Sequence, residues 1–262
     1  MSANGWRPKL VALDIDGTLV DYDGVLPGTV RTAIRRVVDA GVPVVMSTGR
    51  SWMATQVIVD ALGLPPATHV CSNGAVVVDY PPFDVVRQVT FDPGPVIDRV
   101  VAETDALIAV EEIGGGFRVS AAFPDGELYG PSVHESLEDL KSRPVTRVIV
   151  RDPDGDEAEF VQLANRIGLH GVTYFVGWSN WLDIAPEGVD KAAGLEVVCE
   201  QYGIAAEDVL ALGDGYNDVE MLRWAGRGVA LGDAVPEVQA FADHVTGTFA
   251  EGGTAEELLR WF

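Results

Sequence analysis

The chain has 262 residues, 47% of them hydrophobic, and its 18 Lys and Arg stand against 40 Asp and Glu, for a formal net charge of −22. A chain of this length can bury a substantial core, as one large domain or two smaller ones. The strong negative charge argues against nucleic acid and anionic membranes as partners, because both would be repelled.

No segment indicates secretion or membrane insertion. The first ten residues contain no apolar stretch before a small-residue cleavage site, and no apolar run reaches the length of a membrane span. Cys71 and Cys199 each lie within an apolar segment, which favours buried, reduced thiols and gives no support for cysteine catalysis. The expected location is therefore the cytoplasm.

Short apolar runs alternate with amphipathic segments at both ends of the chain. This alternation predicts an α/β fold, with a Rossmann-like, doubly wound parallel sheet covered by helices on both faces. The predicted strands lie at 10–14, 43–46, 68–71, 209–212 and 228–231. The predicted helices lie at 28–40, 51–62, 190–202 and 217–225.

The middle of the chain has a different pattern. Its predicted strands follow one another closely, as in antiparallel pairs, instead of being separated by helices. Strands are predicted at 85–91, 108–113, 114–123, 145–152, 172–178 and 180–186, with a glycine hairpin turn at 114–116. Helices are predicted near 94–105, 133–141 and 156–168. The pattern predicts an inserted α+β cap at 82–185 and a catalytic core made of 1–81 and 186–262, with hinges at Pro81-Pro82 and 186–188.

Two aspartates, Asp14 and Asp16, end the apolar segment LVALDID and precede Gly17. Like charges this close repel, so the ionised pair needs a cation, or one carboxylate must keep a proton. A nucleophilic carboxylate, a neighbouring general acid or base and an oxygen-bound divalent ion would together suit phosphoryl transfer. Asp and Gly also cluster in ordinary turns, so the weight of this motif depends on the other segments.

A second apolar run, VPVVM, ends in Ser47, Thr48, Gly49 and Arg50. Hydroxyl and guanidinium groups between a strand end and a helix are donors suited to a phosphate oxygen. This segment therefore adds an anion-binding element to the acidic pair.

Lys191 stands at the start of a predicted helix, where the helix dipole disfavours a positive charge. That position is mild evidence for an anionic partner, although most lysines are simply solvated surface residues. Further along the chain, an apolar strand runs into Asp214, and Asp218 follows four residues later. Glycines keep that turn tight, so both carboxylates can face one point.

Four of these polar residues fall at the predicted carboxyl ends of separate strands, namely Asp14, Thr48, Asn73 and Asp214. Ligands of doubly wound sheets bind at this edge, beside the point where the strand order reverses. The positions alone therefore predict a single functional site.

The order of the segments DIDGTL, STGR, Lys191 and GDGYND resembles the four motifs of the haloacid dehalogenase-like superfamily of phosphohydrolases, over essentially the whole chain. The segments TGR and SNGA (72–75) are similar to additions found in its Cof-type branch. The resemblance implies that a cap closes over the substrate and excludes water from the site.

The resemblance also implies a role for each motif residue. Asp14 would be the nucleophile, Asp16 the general acid and base, Thr48 a donor to the phosphoryl group, and Lys191 the cation that neutralises both nucleophile and phosphate. A Mg²⁺ cofactor would be held by Asp14, the backbone carbonyl of Asp16, Asp214 and Asp218, the last through water or as an orienting group. Residues near the substrate would be Gly49, Arg50, Asn73, Gly74 and Asn217.

Two positions depart from the pattern of the branch. Ala192 follows the motif lysine where glycine is usual, and Asp233 stands where asparagine is usual. We expect the extra carboxylate of Asp233 to lie near the metal and phosphate and to alter metal affinity or substrate choice. Neither departure removes a catalytic group.

The leading interpretation is a phosphoric monoester hydrolase that acts on a small phosphorylated metabolite, such as a sugar phosphate, through an aspartyl-phosphate. The alternatives are a phosphomutase or phosphotransferase that uses the same intermediate, and a catalytically silent regulator that binds a sugar phosphate. A dehalogenase is disfavoured, because its chemistry needs neither Asp16 nor a metal. The oligomeric state stays open.

Two further patterns lie in the predicted cap. Trp178 and Trp181 could form a stacking wall for a ring, but aromatic residues in strands are more often part of the core. The segment DPDGDE at 152–157 is similar to a calcium-binding loop, yet Glu157 occupies the position that requires glycine. We therefore reject a calcium site there.

Overall fold

A computed structural model describes residues 5–113, 116–155, 160, 172–177 and 180–262. The predicted helix near 156–168, apart from Phe160, lies outside the described residues, as do Trp178 and most of the glycine turn at 114–116. None of the helices in the described ranges is long and apolar enough to cross a membrane.

The secondary structure alternates at both ends of the chain, as the sequence predicts. The strands are β1 Leu10–Leu13, β2 Val44–Met46, β3 Ala67–Cys71, β4 Val76–Tyr80, β5 Asp84–Gln88, β6 Leu107–Glu112, β7 Gly116–Val119, β8 Ser132–His134, β9 Val148–Arg151, β10 Val172–Gly177, β11 Trp181–Pro186, β12 Val209–Gly213, β13 Arg227–Ala230 and β14 His244–Val245. The helices are α1 Gly28–Asp39, α2 Trp52–Leu62, α3 Gly94–Glu103, α4 Leu137–Leu140, α5 Lys191–Tyr202, α6 Val219–Trp224, α7 Pro236–Gln239 and α8 Gly253–Leu259.

The core is a five-stranded parallel sheet in the order β14-β13-β12-β1-β2. Alternate residues of β1 point to opposite faces, so Val11 and Leu13 pack toward α1 and α8, while Leu10 and Ala12 pack toward α5 and α6. Burial on both faces explains why these strands read as continuous apolar runs. The predicted doubly wound α/β core is confirmed.

A three-stranded antiparallel sheet, β3-β4-β5, continues this layer. A parallel bridge between Ser47 and Val70 places β3 beside β2. β5 begins just after the predicted cap boundary at 81/82, yet it pairs with β4 and not with the strands further along the chain. The predicted division at 82–185 stays a prediction.

The middle of the chain forms a six-stranded sheet in the order β10-β11-β9-β6-β7-β8. Its pairs are antiparallel except for β7 with β8. The side chains of α3 and α4 pack on one face around Ile97, Ile108 and Val148. This is the predicted α+β layer, which we call the cap.

One cap element was predicted wrongly. The segment 133–141 was expected to be helical, but it begins as β8, and α4 covers only Leu137–Leu140. Ser136 caps the start of this helix, because its hydroxyl accepts a hydrogen bond from the backbone N–H of Asp139. Residues 132–134 add an exposed edge strand to β7, so tertiary pairing overrides the helical pattern there.

His69, on β3, is an ionisable residue wholly buried in the core. Its Nδ1 accepts a hydrogen bond from the backbone N–H of Met46 at 3.1 Å, and its ring stacks on Trp52. Its Nε2 has no hydrogen-bond partner among the described residues. Burial lowers the pKa of His69 from 6.5 to about 4, and the charge of Asp79 offsets this only partly.

We expect His69 to make stability depend on pH. Between pH 6.5 and 4 the unfolded chain binds a proton at this residue and the folded protein does not, so the free energy of unfolding falls as pH decreases through that window, by up to about 3 kcal/mol. Urea unfolding of wild type and His69→Asn at pH 7 and pH 5 measures this, because asparagine keeps an acceptor for Met46 but does not titrate. An equal loss of stability in both proteins would contradict the assignment.

Candidate active site

The predicted site residues come together at the carboxyl edge of the parallel sheet. Asp14 follows β1, Thr48 follows β2, and Asp214 follows β12. Because β12, β1 and β2 are neighbours and run in the same direction, their ends meet at one edge. The turn 72–74 reaches this edge after β3, and its residue Asn73 donates its backbone N–H to the Thr48 carbonyl.

Lys191 is the centre of the site. As the first residue of α5 it is completely buried, and its Nζ lies 2.6 Å from Asp14 Oδ1 and 2.6 Å from Asp218 Oδ1. The side chain of Asp190 caps the helix by accepting the N–H of Ala193. Two carboxylates therefore balance the charge of a lysine at an unfavourable helix position. The sequence predicted an anionic partner for Lys191 from this position.

The buried carboxylates carry more charge than one lysine can neutralise. Burial raises the pKa of Asp14 well above its usual range, and the nearby charge of Asp218 adds to the shift, against the attraction of Lys191. Burial together with the charge of Asp218 also raises the pKa of Asp214 to about 7. Burial alone would lower the pKa of Lys191, but the charges of Asp14 and Asp218 outweigh it and raise that pKa. The site therefore favours either a further cation or a proton on one of these carboxylates.

The arrangement of oxygens fits a hard divalent ion such as Mg²⁺. One oxygen each of Asp14, Asp214 and Asp218 lie within 4.8 Å of one another. Lys191 contacts only one oxygen of Asp14, and Asp214 accepts a hydrogen bond from Thr18 on Oδ1 at 2.8 Å and only a long one from Tyr22 on Oδ2 at 3.4 Å, which a metal ion could replace. An all-carboxylate set of this kind suits magnesium, which keeps several of its waters.

Asp218 holds the loop as well as the lysine. Its Oδ2 accepts the backbone N–H groups of Asp214 and Gly215, each at 2.9 Å, and its Oδ1 pairs with Lys191. Both oxygens are therefore occupied. This geometry favours an orienting role for Asp218 over direct metal coordination.

Gly17 lets the loop after β1 pass close to the Asp214 carboxylate after β12. It has φ of +75°, and a Cβ atom there would lie 2.3 Å from Asp214 Oδ2. Only glycine allows the loop after β1 to pass so close to this carboxylate.

Asp16 and Arg50 form a two-pronged ion pair beside the buried cluster. Arg50 Nε lies 2.9 Å from Asp16 Oδ2, and Nη2 lies 2.6 Å from Oδ1. Both side chains are partly exposed, so they can rearrange when a ligand enters. The predicted acid and base is thus held by the predicted substrate-binding arginine.

The loop after β2 is tied to the turn after β3. Thr48 is buried, and its Oγ1 accepts the backbone N–H of Arg50. Asn73 has a positive φ of 53°, and its Oδ1 accepts a hydrogen bond from Asn217 Nδ2 at 2.9 Å. A Cβ at Gly49 would lie 3.1 Å from Asn73 Oδ1, so the absent side chain leaves room for this amide pair.

Gly74 marks the closest approach of this turn to the lysine helix. It has φ of +98°, and a Cβ there would lie 1.9 Å from the carbonyl oxygen of Asp190. Gly74 is buried and packs against the start of α5, and its place near the substrate stays a prediction.

Several residues at the site were not predicted from the sequence. Arg147, Glu111 and Asp183 of the cap form a buried charged group against the core, Ser72 donates its hydroxyl to Glu111, and Tyr22 OH lies 3.4 Å from Asp214 Oδ2. The available signal was a set of charged residues inside apolar strand segments such as VTRVIV and LIAVEE. Such charges usually face solvent, which is why the pattern did not reveal them.

Asp233 does not join the buried acidic cluster. The metal-compatible group among the described residues consists of Asp14, Asp214 and Asp218. The Asp233 carboxylate instead accepts the backbone N–H of Phe249 and so holds the loop that precedes α8. The expected influence of Asp233 on the metal therefore has no support from its contacts.

Comparisons with known proteins agree with this geometry. A family model described as haloacid dehalogenase-like hydrolase matches residues 11–107 and 125–258. The chain belongs to this family. The predicted resemblance, including the Cof-type branch, and the expected class of enzyme, a phosphatase of the haloacid dehalogenase-like type, are confirmed.

Individual relatives of this haloacid dehalogenase-like hydrolase cover almost the whole chain. The stress response protein YhaX of Bacillus subtilis is 31% identical over 97% of this chain and 93% of its own length. The Bacillus subtilis protein YitU, named a 5-amino-6-(5-phospho-D-ribitylamino)uracil phosphatase, is 26% identical over 98% of both chains. A crystal structure of a haloacid dehalogenase-like hydrolase from Bacteroides thetaiotaomicron superimposes with a TM-score of 0.81 at 25% identity, covering 98% of this chain and 100% of that one.

We expect Mg²⁺ to stabilise the folded protein, because the unfolded chain does not assemble the carboxylate group. At a free Mg²⁺ concentration one hundred times the dissociation constant, the free energy of unfolding should rise by about 2.7 kcal/mol. Thermal unfolding with Mg²⁺ and with chelator measures the shift. Asp214→Asn should lose most of it, whereas Asp208→Asn, at the opposite end of the same strand β12, should keep it. An equal shift in both variants would contradict the site.

Proposed function

We propose that the protein is a magnesium-dependent phosphatase of a small phosphomonoester, a sugar phosphate or a similar metabolite, and that it works through an aspartyl-phosphate on Asp14. The observation that carries the proposal is the contact of buried Lys191 with Asp14, beside the metal-compatible carboxylate Asp214. The name of YitU as a phosphatase of a phosphorylated metabolite supports the same chemistry.

Asp14 is suited to the role of nucleophile. Lys191 contacts one of its two oxygens, Oδ1; one oxygen would hold Mg²⁺ while the other attacks phosphorus and forms the aspartyl-phosphate as the bond to the leaving oxygen breaks. The bound Mg²⁺ would supply positive charge for the phosphoryl oxygens. Lys191 and the donors of the Thr48–Arg50 loop add to that charge, and positioning of this kind carries most of the acceleration in phosphoryl transfer.

Asp16 is suited to donate a proton to the leaving oxygen and to accept a proton from the attacking water. It would protonate the leaving alkoxide and then accept a proton from the water that hydrolyses the aspartyl-phosphate. Both of its oxygens accept hydrogen bonds from Arg50, so Arg50 must move away before Asp16 can reach the leaving oxygen. The phosphate is the natural new partner for that guanidinium, which would link substrate binding to activation of the acid.

The first experiment measures phosphate release from a broad panel of metabolite phosphomonoesters, with Mg²⁺ and with chelator. We expect magnesium-dependent release concentrated on a few substrates. The ¹⁸O content of the product, after turnover in labelled water, separates hydrolysis from transfer to a second hydroxyl. Silence across the panel would overturn the proposal and favour a transferase or a binding regulator.

Asp14→Asn should abolish turnover while leaving the fold intact. Loss of the nucleophile should reduce kcat on the order of 10³-fold or more, and near-ultraviolet circular dichroism should be unchanged. Asp23→Asn is the matched control, since Asp23 lies on the exposed loop after the same motif. Retained activity in Asp14→Asn would refute the aspartyl-phosphate mechanism.

A further inference from the structure

Arg147 is a buried arginine that lies between the cap and the core. It precedes β9, and its side chain is 5% exposed. A guanidinium in such a place must have its donors satisfied, because an unpaired buried charge is costly. Its partners therefore show which groups this part of the cap is built to hold.

Two of the partners are carboxylates of the cap itself. Arg147 Nε lies 2.9 Å from Glu111 Oε2 on β6, and Nη1 lies 3.3 Å from each oxygen of Asp183 on β11. Arg147 thus ties three neighbouring strand segments of the cap sheet together. Its charge is balanced within the cap, with one carboxylate in excess.

The third partner belongs to the catalytic loop of the core. Arg147 Nη1 also donates to the backbone carbonyl oxygen of Gly49 at 2.6 Å. Gly49 lies between Thr48, the expected donor to the phosphoryl group, and Arg50, which holds Asp16. Arg147 therefore binds the Thr48–Arg50 loop, which carries the expected donors to the substrate.

The same cap residues contact the core at a second point. Ser72 donates its hydroxyl to both oxygens of Glu111 at 2.9 Å, and Asn73 Nδ2 lies 3.5 Å from Asp183 Oδ2. Asn73 in turn contacts Asn217 in the loop of the metal-binding carboxylates. The carboxylates that hold Arg147 thus connect the cap to both loops of the site.

We propose that Arg147 is a positioning residue for catalysis, which fixes the Thr48–Arg50 loop through the Gly49 carbonyl when the cap lies on the core. Its effect falls on kcat, because the loop geometry matters most in the transition state, and much less on the binding of a small substrate. The inference rests on the proposed phosphatase function. The planar guanidinium is essential, because it reaches Glu111 and Gly49 from two different nitrogens at once, which an ammonium on a single stem does not.

The test compares Arg147→Lys, Arg147→Met and Arg151→Met with p-nitrophenyl phosphate and with the best substrate of the metabolite panel. Arg151 is the matched control, since it lies on the adjoining strand β9, is also buried, and pairs with Glu127 of the cap at 2.8 Å through two nitrogens. It does not contact the core through any of the hydrogen bonds of the described residues. Thermal unfolding of every variant reports the loss of stability.

We expect Arg147→Lys to fold, because it keeps a positive charge beside Glu111 and Asp183, yet to lose kcat by about tenfold or more, as misplaced catalytic groups do. KM for p-nitrophenyl phosphate should change by less than about threefold. Arg147→Met should lose at least as much kcat, and Arg151→Met should keep kcat within about twofold even if its melting temperature falls.

Two results would overturn the inference without touching the proposed function. A wild-type kcat in Arg147→Lys would mean that only the charge is needed, and an equal loss in Arg151→Met would mean that any weakening of the cap has the same effect. Silence of the wild-type protein across the whole phosphoester panel is a different outcome, and it would overturn the proposed function and this inference together.

Discussion

The pairing of a fully buried ammonium with buried carboxylates is the interaction on which the site depends. Lys191 has no exposed surface, and it contacts Asp14 and Asp218 at equal distances of 2.6 Å. Removing the lysine from such a group typically costs about 3–5 kcal/mol, because the carboxylates would stay buried without compensation. The site is therefore held together by the same charges that its chemistry uses, and folding and function constrain the same three side chains.

The parallel sheet makes this arrangement possible. Its neighbouring strands β1 and β12 end at one edge, so the carboxylates of Asp14 and Asp214, far apart in the chain, come within 4.8 Å of each other. Glycines at 17 and 74 let loops approach to distances that a Cβ atom would forbid. The molecule carries a large negative net charge, yet the cations that matter lie within a few ångströms of the reacting groups, where screening by salt is weakest.

The core and the motif residues were predictable because their signals are local. A buried parallel strand is an apolar run, and a polar residue at its end, such as Asp14 or Asp214, stands out against it. Arg147 and Glu111 could not be identified in the same way, because they lie within apolar segments of the cap and their partners are far away in sequence. Adjacent Glu111 and Glu112 illustrate the difficulty, since they point to opposite faces of β6: Glu111 pairs with Arg147, whereas Glu112 pairs with buried Arg118 and exposed Arg143. β4 was also missed, because its valines follow the short turn 72–74 so closely that they read as a continuation of β3.

The bond from Arg147 to Gly49 ends on a main-chain oxygen. Every residue type offers that acceptor, so no substitution at position 49 removes the acceptor itself. During divergence, the core can therefore keep this attachment point while its side chains change, and the burden of preserving the contact falls on the cap sequence alone. A different cap sequence would keep this attachment only if it placed a donor over the same peptide group.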